Sequence, residues 1–209
     1  MYMSEQEDVA YVQEPMPTLK SQRLNLDACI GGRRSVRGYT DEPVSKEQIE
    51  AVLEAGVWAP TALDREPWRF IIIEDRELIR YVSEETKSLL QRMRSMIAKR
   101  FQTGTDVLCY DAPVLILVCA QKEEEEYLNH LNLIDGVLAA QNMFLIAFEL
   151  GLGTCYTGSI NLLSYKPEVL KKVGLPDGYE LIVPFVLGHP KTKQAAGRRN
   201  KPQVLRWTR

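Results

Sequence analysis

Residues 132–150 constrain this chain most: they read as one long helix that is apolar on most of its surface. Such a helix needs cover on several sides and is expected at the centre of the fold. Asp135, Gln141, Asn142 and Glu149 interrupt it, which argues against a membrane span. Residues 70–73, 113–120 and 181–188 are unbroken, largely apolar runs. Runs of that kind, bounded by turn signals, read as buried strands.

Helices are expected between them. Leu19, Leu24, Leu26 and Ile30 suggest a short one stopped by Gly31-Gly32. A second runs over residues 46–58, capped by Ser45, and a third over about 76–101. Strands alternating with helices give an α+β chain, an α/β sandwich with its sheet between helical layers. Residues 1–17 lack a core of their own and read as an arm, leaving residues 18–209 as one domain.

Composition narrows the function. The net charge is -2, so no basic field invites nucleic acid. Cys29, Cys109, Cys119 and Cys155 are scattered, and His130 and His189 are the two histidines, so a structural zinc site is not expected. Reduced cysteines and an N-terminus without a secretion signal point to the cytoplasm. The acidic run Glu123-Glu124-Glu125-Glu126 reads as a solvated loop or a helix start.

Three constellations carry possible chemistry. Arg33, Arg34, Ser35 and Arg37 follow a glycine pair, and in extended backbone Arg33, Ser35 and Arg37 share one side. Guanidinium forks suit a phosphate, although a solvated basic turn has the same composition. Arg198, Arg199 and Lys201 repeat the theme in the tail. Thr61, Asp64 and Glu66 sit on a loop stiffened by Pro60 and Pro67, either presenting hydrogen-bonding groups to a planar ring or simply joining helix to strand. The run Gly151-Leu152-Gly153-Thr154-Cys155-Tyr156-Thr157-Gly158 follows a helix instead of opening one, so it is no Rossmann fingerprint. No catalytic triad or nucleophile elbow is present. Phosphate and ring contacts without an obvious acid, base or nucleophile suggest that a cofactor carries the chemistry.

In this order the segments resemble the nitroreductase family of FMN enzymes. Its R-R-S-x-R stretch appears at residues 33–37, its D-E-P-V at 41–44 and its A-P-S-x-x-N-x-Q-P-W at 59–68. Its G-L-G-T-C-x-x-G appears at 151–158 and its final V-x-x-x-L-G-x-P at 183–190, so the likeness spans about residues 24–207. The resemblance implies a nitroreductase-like fold, with a central, mixed, mainly antiparallel sheet flanked by helices. It implies FMN as cofactor, with Arg33, Arg34, Ser35 and Arg37 on the phosphate and ribityl chain. Arg199, with Lys201, would close over the phosphate. Thr157 and Gly158 would lie beside the isoalloxazine, and Thr61, Ala62, Asp64 and Glu66 would reach it from the other subunit of a homodimer.

The departures that change the charge of the pattern are Asp64, where the family has asparagine, and Glu66, where it has glutamine. An ionised carboxylate accepts but cannot donate, and it would disfavour a reduced, anionic ring. The activity implied is ping-pong electron transfer from NADH or NADPH to a small acceptor such as a nitroaromatic or a quinone. The chemistry would occur on flavin N5, with no catalytic side chain. The alternatives are a non-catalytic FMN-binding or flavin-delivery protein and a flavin dehalogenase of the same fold.

Overall fold

The computed structural model describes residues 25–93, 108–195 and 197–209. At its centre are β1 (Trp68–Ile73), β2 (Val114–Gln121), β3 (Gly153–Tyr156) and β4 (Tyr179–Gly188). They form one sheet in the order β1-β2-β4-β3, with every neighbouring pair antiparallel. Successive side chains point to opposite faces, so β2 sends Leu115, Leu117 and Cys119 into one core and Val114, Ile116 and Val118 into the other. A strand covered on both faces has no polar side to present, which is why its sequence is an unbroken apolar run.

The helices are α1 (Leu26–Gly32), α2 (Lys46–Val57), α3 (Arg76–Arg92), α4 (Glu126–Glu149) and α5 (Pro167–Lys172). Ile79 and Val82 of α3 close the first core together with Ile160 and Leu163 of a 3-10 segment, Gly158–Tyr165. Ile49 and Val52 of α2 close the second with Ala139, Met143 and Ala147 of α4. Polar side chains set the starts. Ser45 and Gln48 form a reciprocal capping box on α2, and Asp75 accepts from the Glu77 and Leu78 amides at the head of α3.

Some boundaries differ from expectation. Helix α1 runs through Gly31-Gly32 because the Arg33 amide still donates to Cys29 O at 3.0 Å; the chain turns extended only at Arg33. Residues 1–24, with the expected arm and the first turn of that helix, lie outside the described residues, as do 94–107 beyond α3. Helix α4 starts at Glu126, within the acidic run, because Asn129 bonds the Glu123 amide and carbonyl and steadies the turn. Strand β4 starts at Tyr179, and the 3-10 segment and α5 have no counterpart in the apolar periodicity of the sequence.

One correction concerns α4. By length and composition alone it could cross a membrane. It packs small residues, among them Ala139, Ala140 and Ala147, onto the sheet, but it is not wholly enclosed. Leu133, Ile134, Val137 and Leu138 form an apolar stripe that stays between 38% and 49% exposed.

Candidate functional site

The strap after α1 builds the site. Its Val36 amide donates to Thr154 O at 2.9 Å, and Ser35 bridges Thr154 in parallel along the outer edge of β3. This parallel contact is an isolated bridge outside the strands, so the sheet itself is antiparallel throughout, where a mixed one was expected. Tyr39, fully buried, donates its hydroxyl to Val36 O at 2.8 Å and bridges Pro190. Gly153 is what lets the strap lie so close, since a Cβ there would stand 2.5 Å from a Val36 methyl.

With Val36 anchored inward, the arginines gather around one edge. Arg33 has its pKa lowered by burial, then by Arg34 and by Arg199, so the tail does fold back onto the first cluster. Arg34 donates to Arg33 O at 2.6 Å, while its Nε is buried without a partner and lies against the Gly197 backbone. Among the described residues, no carboxylate pairs with Arg33, Arg34, Arg37 or Arg199. Lys201 is exposed two positions further on. Beside the cluster opens a cavity of about 370 Å³, lined by Arg33, Arg34, Lys193 and Gln194 against Phe148 and Thr154, with no acidic side chain in its wall among the described residues.

Cys155 lies behind the strap. Its thiol is raised above the usual range by burial, against the opposing effects of Arg37, of hydrogen bonds to Tyr110 and Ser35, and of Arg33. The thiol therefore stays protonated at neutral pH and is a packing group, not a nucleophile. Tyr110 bonds Arg37 and sits with Asp111 in left-handed backbone, both at φ 56°. Burial raises the Tyr110 phenol as well, keeping it a donor.

The loop after α2 is a separate construction. Asp135, 3% exposed on α4, accepts from the Thr61 hydroxyl and the Ala62 amide, both at 3.0 Å. Thr61 in turn accepts from the Glu66 amide at 3.0 Å, and Arg65 pairs with Glu123. Leu63, Asp64 and Glu66 are left-handed at φ 58°, 50° and 44°, and all three side chains are exposed. Left-handed backbone in non-glycine residues is costly and persists only where the surroundings impose it.

The expected site residues thus fall into separate groups within one chain. Arg33, Arg34, Ser35, Arg37 and Arg199 converge. Thr61, Ala62, Asp64 and Glu66 are held at the level of Asp135. Phe144, whose ring lies 6.0 Å beneath the Arg33 guanidinium, is nine residues further along α4, or about 14 Å of helix axis. Thr157 is buried, and both its amide and its hydroxyl donate to Pro184 O, at 3.0 and 3.2 Å. Both of its donors are therefore committed to β4, and Gly158 beside it is half-buried at the head of the 3-10 segment. Asp135 and Tyr110 were not anticipated. Asp135 did leave a signal, being a carboxylate in the middle of an apolar helix, whereas Tyr110 left none.

Comparison with known proteins identifies the family and the fold. The family model described as "Nitroreductase family" matches residues 30–189. A Methanothermobacter thermautotrophicus protein, provisionally named NADH dehydrogenase/NAD(P)H nitroreductase, is 30% identical over 82% of this chain and 80% of its own. Rat iodotyrosine deiodinase 1 is 27% identical over 87% of this chain and 67% of its own. The crystal structure of a Desulfitobacterium hafniense nitroreductase with bound FMN superposes with a TM-score of 0.77 at 26% identity, covering 86% of this chain and 96% of that one. The strap motif, the glycine run and the sandwich all fall within the matched region, and the chain belongs to the nitroreductase family.

Proposed function

We propose that this protein binds FMN and transfers electrons from NADH or NADPH to a small oxidant such as a nitroaromatic or a quinone. The observation that carries the reading is the return of the tail, with Gly197 against Arg34 and Arg199 near Arg33, while among the described residues no carboxylate pairs with these arginines. Like charges held together in a partly buried site cost free energy unless an anion joins them. The partnerless Arg34 Nε is a donor still to be satisfied. A phosphate monoester fits that donor set, so the residues present suit FMN.

In this reading Arg33, Arg34 and Arg199, with Lys201, hold the phosphate, and Ser35 and Arg37 hold the ribityl chain. Gly158, positioned by Thr157, lies beside the ring. Bound FMN supplies the two-electron chemistry that no side chain of the protein offers. Cys155 and Tyr110 keep their protons and fix Ser35 and Arg37 in place.

A second copy of the chain completes the site. The exposed stripe on α4 and the exposed Val204, Leu205 and Trp207 of the tail supply apolar surface for a homodimer. In that assembly the loop bearing Thr61, Ala62, Asp64 and Glu66 reaches the flavin of the other subunit. Asp64→Asn then raises the midpoint potential of the bound flavin, because a carboxylate near the ring disfavours its reduced anion. Potentiometry that finds no change removes Asp64 from the flavin's surroundings. Cys29, Cys109, Cys119 and Cys155, none of them in a disulfide, support a reducing, cytoplasmic setting.

The direct test is a visible spectrum of the purified protein, followed by anaerobic addition of NADH and then NADPH. Flavin absorption bleached by either donor is the expected result. A bound flavin that stays oxidised with both favours a flavin carrier, and a protein that takes up no FMN overturns the reading.

A further inference from the structure

Tyr156 ends β3, the edge strand nearest the arginine strap, and half of its surface is exposed. It stands directly opposite Phe185 on β4, and directly opposed residues share a face of the sheet. Phe185 meets Phe144 of α4 edge-on at 4.9 Å between centroids, and Phe144 carries the Arg33 guanidinium above its ring. Arg33, Phe144, Phe185 and Tyr156 therefore form one continuous row that begins at the anion cluster and ends on an open aromatic ring.

That ring has a fixed seat. A Cβ at Gly158 would stand 2.7 Å from Cε1, Cζ and Oη of Tyr156, so the ring rests against the bare backbone at the head of the 3-10 segment. Asn161 steadies its tip, donating Nδ2 to the Tyr156 hydroxyl at 3.4 Å and to Ile182 O at 3.2 Å. Gly158 has no left-handed conformation to explain the glycine; what it allows is the ring's approach. An aromatic group pinned on one side and open on the other offers a flat surface to a flat partner.

We propose that the Tyr156 ring is a stacking platform for the isoalloxazine of FMN, with Gly158 and Asn161 holding it in position. This rests on the FMN reading above. It gives the site two ends, guanidiniums for the phosphate and a phenol ring for the flavin, on one side of the sheet. Tyr156 is then a residue that orients the cofactor and shapes its affinity.

The test reads the cofactor and not turnover. The protein is loaded with FMN, and the dissociation constant and the emission of the bound flavin are measured for wild type, Tyr156→Phe and Tyr156→Leu. A phenol in face contact quenches flavin emission, so wild type should be dim. Tyr156→Leu should be several-fold brighter and bind FMN roughly two- to tenfold more weakly, the range expected for one aromatic pair. Tyr156→Phe keeps the ring, so it should hold affinity within about twofold yet brighten, which separates stacking from any loss of fold. Equal affinity and equal emission in wild type and Tyr156→Leu would overturn the platform while leaving FMN binding intact. Wild type that takes up no FMN, with its circular dichroism normal, would overturn the FMN reading and the platform with it.

Discussion

Arg33→Ala weakens FMN binding by roughly one to three orders of magnitude while leaving riboflavin binding within about twofold. The two ligands share the ring and the ribityl chain and differ only in the phosphate. Arg33 is depressed by burial and by the neighbouring Arg34 and Arg199, so it is stabilised by whatever anion enters. Removing it deletes a charge-assisted fork from a partly desolvated site, where such bonds are strongest. Titration of both ligands by isothermal calorimetry measures the difference. An equal loss for both would mean that Arg33 acts through the fold of the strap; no loss for either would place the anion elsewhere. The same logic makes FMN a stabiliser of the native state, with a Tm that climbs as ligand is added.

Asp135→Ala lowers Tm by roughly 4–12 °C and detaches the loop that carries Asp64 and Glu66. One Asp135 oxygen accepts from both the Thr61 hydroxyl and the Ala62 amide, and the substitution strands both donors. The cost is about 2–3 kcal/mol, held down because Thr61 and Ala62 are only part-buried and can turn to water. The left-handed Leu63, Asp64 and Glu66 relax once the anchor is gone, which favours the detached state further. Asp135→Asn keeps an acceptor at the same place without the charge, so it should lose about half as much. Calorimetric melting reads the stability, and protease cleavage near Leu63 reads the loop. A variant that melts like wild type with an uncut loop would show that the Arg65–Glu123 pair, not Asp135, holds it.

The strands and long helices were legible because burial on both faces writes itself into a sequence as unbroken apolar runs. Residues 70–73 and 181–188 fall inside β1 and β4, and residues 113–120 meet β2 within a residue at each end. Segments held by a few polar contacts were not legible. The 3-10 segment after β3 and the early start of α4 depend on particular carbonyls and on Asn129, and neither creates a hydrophobic period. For α4, apolarity over most of the surface predicts a central position, yet it means one face on the sheet and one face exposed. A sequence records that a surface is apolar but not what covers it.

The sequence by itself determined the family, the order of the motifs and the presence of two arginine clusters, because these are properties of residue type and spacing. Only the tertiary structure decided that Arg199 returns to Arg33, that Thr157 spends its donors on Pro184, and that Asp135 reaches across to Thr61. It also set Tyr156 on Gly158 in line with Arg33. The physical reason is the range of the contacts. Asp135 meets a partner 74 positions away and Thr157 one 27 positions away, and such pairings come from how sheet and helices pack, which no local pattern of residues encodes.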